Sequence, residues 1–307
     1  MNAAIARIRR WWLPALTLVL TLAAVAPARA AFDDIEVSAR VRGLGGAFAG
    51  LIADDYAPFH NPASLAWLDG VTGAASFVRP FGFDFSSQST AVAGFALPGR
   101  LGGVAVGARR FGVTWLGENL TGETTVALAH GIHLLRDSQS QLAVGWVLDV
   151  YSLDYGRSVT GIDPGSATGV GIGFGATAVV RDRTRVGFQG VNLNSPSLGD
   201  LDHQDLRRSV AIGVSYQPYP GVETVLDITR ELGREIQYRG GAECSVGDLL
   251  WLRGGIHTAP NTVTAGIGLR HAGVGFDYGF STGGVLGETH QFGLSYRFSH
   301  AEKGAPR

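Results

Sequence analysis

The sequence predicts an all-β protein: a transmembrane, antiparallel, up-and-down β-barrel of about fourteen strands with an N-terminal segment plugging its lumen. Three observations favour this fold. Apolar residues alternate with glycine or polar residues in segments of about ten residues, the length of a tilted membrane strand. Glycine accounts for 45 of 307 residues, although the chain is 45% hydrophobic and only 17% charged. The one long apolar run lies at the N-terminus.

The N-terminus carries the pattern of an export signal. Arg7, Arg9 and Arg10 form a basic stretch. The apolar segment Trp11–Val25 follows, and Ala28–Ala30 supplies small residues for cleavage. The alternative is a membrane anchor, but the apolar segment is shorter than the ~20 residues that a helix needs to cross a bilayer. We therefore expect export and cleavage after Ala30.

The rest of the chain alternates with a period of two residues. The apolar positions of four such segments are Val210, Ile212, Val214 and Tyr216; Val263, Ala265, Ile267 and Leu269; Val274, Phe276, Tyr278 and Phe280; and Phe292, Leu294, Tyr296 and Phe298. A soluble β-sandwich also alternates and is the alternative. The other face here carries mostly glycine, serine and threonine, and the apolar face ends in aromatic residues, as at a membrane interface. Both features favour a membrane barrel.

The alternating segments give an even number of predicted strands, as bacterial barrels have. They lie at 72–81, 88–98, 101–113, 122–135, 140–154, 166–180, 184–193, 206–217, 221–230, 235–245, 249–257, 261–270, 272–281 and 288–298. Long and short connections alternate through the first eight, with a loop expected at 116–121, and this pattern places both termini in the periplasm. The predicted parts of the chain are a signal peptide at 1–30, the plug at 31–70, the barrel at 71–298 and a periplasmic tail at 299–307.

Composition and motifs argue against several other classes of protein. The formal net charge of -1 leaves no basic excess for binding nucleic acid. Cys244 is the single cysteine, which excludes an internal disulfide and a cysteine-based metal site. His130 and His133 fall on opposite faces of a predicted strand and form a poor metal pair. Outer-membrane hydrolases use residue types such as Ser295 and His290, but nothing in the sequence brings the two together. We therefore expect no cofactor, no bound metal and no enzymatic activity.

The last predicted strand resembles the C-terminal signal by which outer-membrane barrels are recognised for assembly. Gln291 is followed by Gly293, Tyr296 and Phe298, in the usual order of polar residue, glycine and aromatic residues. The usual signal ends the chain, whereas residues 299–307 follow Phe298 here. Gly293, Tyr296 and Phe298 are the predicted recognition residues, and a regular last strand without this role is the alternative.

Residues 31–70 do not alternate and carry the motifs of a family resemblance. The motifs are GGAFAG at 45–50, ADD at 53–55 and NPA at 61–63. In this order they resemble the start of two related groups of barrels, the FadL-type long-chain fatty-acid channels and the PorV/PorQ-type outer-membrane proteins. The resemblance implies a fourteen-stranded barrel with the N-terminal segment folded into the lumen. The runs at 187–193 and 286–293 resemble the PorV/PorQ group in particular.

A plug is also expected on physical grounds. A barrel of about eight strands is filled by its own side chains, but a wider one is open unless something fills it. Asn61 before Pro62 is held extended, and its amide can fix a turn. By resemblance, Asn61, Pro62 and Ala63 lie where plug movement admits ligand; a plug that never moves is the alternative. Asp54 and Asp55 are expected to accept backbone hydrogen bonds or to pair with lumen arginines. The apolar plug residues expected beside any passage are Phe48, Leu51, Ile52, Phe59, Leu65 and Trp67.

Charged residues cluster at inward positions of consecutive predicted strands. They are Glu223, Asp227, Arg239, Glu243, Arg253, Arg270, Asp277 and Arg297. Neighbouring strands lie ~4.8 Å apart, so opposite charges can pair across the wall. One interpretation is a ladder of ion pairs that stiffens the wall and holds the plug through Asp54 or Asp55. The other is a polarised pore lining that selects solutes.

The resemblance implies an integral protein of the bacterial outer membrane. The first hypothesis is passive uptake of hydrophobic or amphipathic small molecules, with the plug rearranging to release them. The second is a PorV/PorQ-like structural or secretion-accessory barrel that acts through protein partners, which the short loops favour. An open porin is the third. The expected partners are outer-membrane lipid and the barrel-assembly machinery, together with either a hydrophobic ligand or a secretion protein, and no nucleic acid.

Overall fold

The computed structural model describes residues 32, 35–52, 54–156, 165–199, 204–283 and 286–298. The predicted signal peptide at 1–30 and the predicted tail at 299–307 lie outside these residues. Among the described residues, no helix is long and apolar enough to cross a bilayer.

Fourteen antiparallel strands close into a barrel, as predicted. The barrel strands are β1 (Val71–Arg79), β2 (Ser86–Ala96), β3 (Gly103–Trp115), β4 (Glu118–Arg136), β5 (Ser140–Tyr155), β6 (Ser166–Val180), β7 (Thr184–Val191), β10 (Ser209–Tyr219), β11 (Val222–Glu231), β12 (Ile236–Val246), β13 (Leu250–His257), β14 (Thr262–His271), β15 (Val274–Ser281) and β16 (Thr289–Phe298). Each strand pairs with its neighbours in the chain, and β16 pairs with β1 to close the wall. A small hairpin, β8 (Ser197–Leu198) with β9 (Gln204–Asp205), interrupts the path from β7 to β10.

The helices among the described residues each span six residues or fewer. Helix α1 spans Ala39–Gly43 and begins at Ser38, whose hydroxyl accepts the N–H of Val41. One 3-10 helix spans Pro62–Trp67 in the plug, and another spans Pro80–Gly82 between β1 and β2.

The alternation predicted from the sequence sets the two faces of the wall. In β16, Gln291 and Ser295 are buried, whereas Phe292, Leu294 and Tyr296 are exposed on the outside. The same holds along β10, β14 and β15, where the apolar positions face outward. A closed barrel with an apolar exterior is the architecture of integral outer-membrane proteins.

One predicted connection is wrong. A loop was expected at 116–121, but β3 and β4 continue to a two-residue turn, Leu116–Gly117. Gly117 has a φ of 86° and Leu116 a φ of 51°, so both turn residues adopt the left-handed backbone of a tight hairpin. Glu118, Asn119 and Leu120 are exposed, which resembles a loop although they belong to the end of the β3–β4 hairpin, which extends beyond β5. The longest connections, 156–165 and 192–208, lie at the end opposite the start of β1, as expected of outer loops.

The described part of the plug contacts inward positions around the whole wall. Glycine makes this possible, since several wall glycines leave no room for a Cβ next to plug backbone. A Cβ on Gly241 would lie 2.6 Å from Leu44 O, and one on Gly255 would lie 2.5 Å from Leu44 C. A Cβ on Gly103 would lie 2.5 Å from Leu65 O. Much of the glycine excess thus provides close approach between wall and plug.

Candidate functional site: the filled lumen

Asn61 ties the plug together and to the wall. Its Oδ1 accepts the N–H of Ala63 at 3.1 Å and so caps the 3-10 helix that begins at Pro62. Its Nδ2 donates to Ala49 O at 2.9 Å and to Thr177 Oγ1 on β6 at 3.0 Å. The side chain is almost fully buried. The turn predicted at Asn61 is therefore present, and it also joins two distant stretches of the plug.

Pro62 and Ala63 lie against glycine residues of the wall strands. A Cβ on Gly145 of β5 would lie 2.6 Å from Ala63 N, and one on Gly131 of β4 would lie 3.0 Å from Ala66 N. A Cβ on Gly175 of β6 would lie 2.8 Å from Pro62 Cδ. The N-P-A turn therefore occupies a recess in the wall that only glycine provides.

The two predicted plug aspartates have different partners. Asp55 pairs with Arg297 of β16, with Oδ1 2.8 Å from Nε, as one interpretation expected. Asp54 instead binds His60 Nδ1, while Glu36 Oε1 lies 2.9 Å from His60 Nε2. The ring of His60 stacks on Phe48 with centroids 4.9 Å apart. The sequence did not indicate the roles of His60 and Glu36, because no pattern in it joins residues 24 positions apart.

This arrangement controls the charge of His60. Burial alone would lower the pKa of His60, but the carboxylates of Asp54 and Glu36 raise it to about 10. Burial would likewise raise the pKa of Asp54, and the charged His60 beside it lowers that pKa instead. His60 is therefore a buried imidazolium held between the carboxylates of Glu36 and Asp54.

Most of the predicted charge ladder forms one continuous chain of ion pairs. Arg253 bridges Glu243 and Asp277, with Nη1 2.7 Å from Asp277 Oδ1. Arg270 Nη2 lies 2.7 Å from Asp277 Oδ2. At the other end, Glu243 and Glu223 share a guanidinium that comes from the plug, that of Arg40 in α1.

Two arginines in this series of ion pairs, Arg40 and Arg185, were not predicted from the sequence. Arg40 Nη2 lies 2.9 Å from Glu243 Oε1 and 3.3 Å from Glu223 Oε2. Arg185 of β7 pairs with the other oxygen of Glu223. The inward residues of β11 and β12 include three carboxylates and one arginine. This excess of negative charge was the signal that a basic plug residue pairs with the wall.

Two other predicted ladder residues, Asp227 and Arg239, bind plug backbone. Asp227 Oδ2 accepts the N–H of Phe48 at 2.6 Å and that of Ala49 at 2.8 Å. Arg239 Nη1 donates to Gly46 O at 3.2 Å. The ladder thus holds plug backbone as well as Arg40 and Asp55.

The predicted apolar passage residues are divided among packed clusters. Phe48 and Leu51 pack in one, Phe59 and Leu65 in another, and Trp67 in a third, while Ile52 is half-buried. Phe48 and Phe59 line an internal cavity of about 40 Å³, whose wall also carries Arg109 and Asp149. A second cavity beside α1 measures about 10 Å³. Spaces of this size hold a few water molecules at most.

The residues predicted for assembly lie on the last strand. Gly293 faces the lumen, with its ideal Cβ position 3.5 Å from Ala39 Cβ, whereas Tyr296 and Phe298 are exposed on the outer wall. Among the described residues, no group of three or more histidine, cysteine or acidic side chains is placed to hold a metal ion.

Comparison with known proteins identifies the fold. No protein-family model matches the sequence, and no curated protein matches it either. The Ralstonia pickettii toluene transporter TbuX superposes with a TM-score of 0.58 at 14% identity, over 85% of this chain and 98% of that one. The Pseudomonas putida toluene transporter TodX gives a TM-score of 0.57 at 13% identity, over 85% and 97%. A Pseudomonas aeruginosa FadL homologue gives 0.53 at 12% identity, over 86% and 99%.

At these identities the likeness establishes the barrel fold. It agrees with the FadL-type resemblance drawn from the N-terminal motifs, and it gives no support to the PorV/PorQ-type resemblance drawn from 187–193 and 286–293. Those runs lie in the wall strands β7 and β16 and in the connection before β16. Gly187 there lies against the backbone of Ala49, so close approach to the plug accounts for this glycine, whereas Gly293 faces Ala39 with room for a Cβ.

Proposed function

We propose that this protein is a passive channel of the bacterial outer membrane for hydrophobic or amphipathic small molecules, and that it carries out no chemical reaction. In this proposal residues 1–30 direct export, 31–70 are the plug and 71–298 are the membrane barrel. The observation that carries it is a wide barrel filled by its own N-terminal segment. The likeness to structures described as toluene transporters supports hydrophobic molecules as the substrate class.

In this proposal, passage through the lumen requires the plug to move. The two internal cavities lined by described residues, of about 40 and 10 Å³, are too small for an aromatic hydrocarbon or an acyl chain. In our proposal the N-P-A turn and the apolar residues around it shift, while the ion pairs of Arg40 and Asp55 define the resting position. The partners are outer-membrane lipid, the assembly machinery that reads β16, and the transported molecule.

A disulfide between plug and wall tests whether movement is needed. The ideal Cβ position of Gly293 lies 3.5 Å from Ala39 Cβ, within the range for a disulfide. We would make Ala39→Cys with Gly293→Cys in a Cys244→Ser background and measure uptake of labelled toluene and of a labelled long-chain fatty acid into proteoliposomes. We expect uptake by the reduced protein, loss of uptake on oxidation and recovery after reduction.

A disulfide within the wall is the matched control. The ideal Cβ position of Gly94 on β2 lies 3.7 Å from Ala105 Cβ on β3, so Gly94→Cys with Ala105→Cys joins two neighbouring strands. The same position lies 2.8 Å from Thr72 Cγ2 and 3.1 Å from Leu68 Cδ2, so the reduced form of this variant is the baseline for its oxidised form. We expect this pair to leave uptake unchanged on oxidation. Uptake that does not exceed protein-free vesicles would refute the proposed function. Uptake that survives the oxidised plug–wall disulfide would show that α1 stays in place during transport.

A further inference from the structure

The outer face of the wall has a groove that the proposed transport does not use. It has a volume of about 720 Å³ and lies where β1, β2 and β3 meet β15 and β16. Its floor is a row of outward alanines, since Ala75 pairs with Ala91 and Ala91 pairs with Ala108. Its side is formed by Phe276, Phe292 and Leu294.

The groove is concave because large side chains flank small ones. Phe292 and Leu294 on β16 are 48% and 57% exposed, and Val126 pairs with Ala108 on the far side of the alanine row. In a bilayer this face is in contact with acyl chains. A chain lying along the alanine row contacts the floor and the aromatic side together, which gives more van der Waals contact than a convex wall does.

One arginine borders the apolar groove. Arg110 of β3 pairs with Ser89 on β2 and with Thr124 on β4, and all three line the groove. Arg110 is exposed and makes no ion pair with any part of the chain that the structure describes. Its Nη2 lies 3.7 Å from the ideal Cβ position of Gly122, which is nearer the β3–β4 turn. The guanidinium is therefore directed from the apolar face towards the membrane surface.

An unpaired guanidinium on a lipid-facing wall favours an anionic lipid. A charged side chain on this face destabilises a barrel increasingly with its depth in the bilayer, and a phosphate that binds the guanidinium offsets that cost. The turn towards which Arg110 is directed joins β3 to β4 at the end that carries the longest connections, the outer end. The lipid available there is the phosphorylated glycolipid of the outer leaflet.

We propose that this groove is a binding site for the outer-leaflet glycolipid, with one acyl chain on Ala75, Ala91 and Ala108 and a phosphate on Arg110. The site is separate from the lumen and does not depend on the proposed transport. It would fix a lipid at the seam where β16 closes onto β1.

Native mass spectrometry of the full chain in detergent tests the site, with bis-phosphorylated lipid A, its dephosphorylated form and phosphatidylglycerol as probes. We expect retention of one lipid A, reduced at least about tenfold by Arg110→Gln or by removal of the phosphates. Ala91→Phe, which fills the floor, should reduce it as well. Arg79→Gln, at an outward arginine paired with Asp84, and Ala265→Phe, on β14 away from the groove, are the matched controls.

Heat-modified gel mobility shows whether each variant is folded, so a loss of lipid in a folded Arg110→Gln protein supports the site. Equal retention by wild type and Arg110→Gln would overturn the proposal. Equal retention of phosphatidylglycerol and lipid A would overturn the assignment to the glycolipid.

Discussion

Arg40 of the plug helix α1 lies between two carboxylates of the barrel wall, with Nη2 2.9 Å from Glu243 Oε1 and 3.3 Å from Glu223 Oε2. Because Arg253 and Arg185 bind the same two carboxylates from the other side, one plug residue completes a chain of charges across the wall. Removing one partner of a buried ion pair leaves the other charge uncompensated. The position of α1 therefore depends on this guanidinium.

We expect Arg40→Gln to lower the free energy of unfolding by about 2–3 kcal/mol, which is less than for a fully buried pair because the Arg40 side chain is 18% exposed. Urea unfolding followed by tryptophan fluorescence measures this. Amide hydrogen exchange at Ala39–Gly43 should accelerate in the folded protein. Arg79→Gln, whose pair with Asp84 is exposed, should change neither quantity. Unchanged exchange at α1 would show that Arg40 does not hold the helix.

Gly145 and Gly254 allow a test of the recess behind the N-P-A turn. A Cβ on Gly145 would lie 2.6 Å from Ala63 N, whereas one on Gly254 would have nothing within 4 Å. We expect Gly145→Ala to destabilise the protein by about 1–3 kcal/mol and to displace the turn, because backbone cannot yield as a flexible side chain does. Planar-bilayer recording should show a higher ion conductance than wild type. Gly254→Ala should behave as wild type, and equal conductance of the two variants would contradict the tight recess.

Two substitutions of Asn61 distinguish its role as the cap of the 3-10 helix from its role as a hydrogen-bond donor to Ala49 O. Asn61→Ala removes the cap on Ala63 N–H and the donor to Ala49 O, and should lower the free energy of unfolding by about 2–3 kcal/mol. Asn61→Asp keeps the acceptor for Ala63 but loses the donor and places a carboxylate beside the Ala49 carbonyl, so we expect it to be no more stable than Asn61→Ala. Asn119→Ala, at an exposed position on β4, is the control. An Asn61→Asp protein as stable as wild type would show that the cap alone matters.

The sequence predicted the wall well because lipid and lumen impose opposite demands on successive residues. β6 begins and ends as predicted, at Ser166 and Val180, and the other barrel strands differ from prediction by at most four residues at either end. The error at Glu118–Thr121 arose because the end of the β3–β4 hairpin extends beyond β5, so Glu118, Asn119 and Leu120 are exposed whichever face they lie on. Its residues then lose the alternation on which the prediction depends.

The plug was predictable in existence but not in detail. The expected turn at Asn61 and the pairing of Asp55 with Arg297 follow from local chemistry and from charge balance. The bonds of Arg40 and His60 join residues far apart in the chain, and an irregular segment has no period from which to infer which side chains face each other. Several glycines of the wall carried this information, since Gly103, Gly145 and Gly241 mark positions where plug backbone approaches, but a glycine alone does not identify its partner.

His60 makes the stability of the plug depend on pH. Its pKa is raised from an ordinary value of 6.5 to about 10 because Asp54 and Glu36 outweigh its burial. A group whose pKa is higher in the folded state contributes its full stabilisation below the unfolded pKa and loses it as pH rises to the folded one. The contribution of His60 should therefore be complete below pH 6.5 and disappear by about pH 10. From the size of the shift it amounts to at most about 5 kcal/mol.

Urea unfolding at intervals between pH 6 and pH 10 measures this dependence in wild type and in His60→Gln. Glutamine can still bond to Asp54 or Glu36 but carries no charge, so its stability should change less across this range. The difference between the two proteins should be largest at pH 6 and should shrink as His60 loses its proton. Parallel curves would mean that His60 is already neutral at pH 6, and the buried pair of carboxylates would then need another source of positive charge. Arg40 is the other cation whose charge acts on Asp54, so the double variant with Arg40→Gln should test this source by its further loss of stability at every pH.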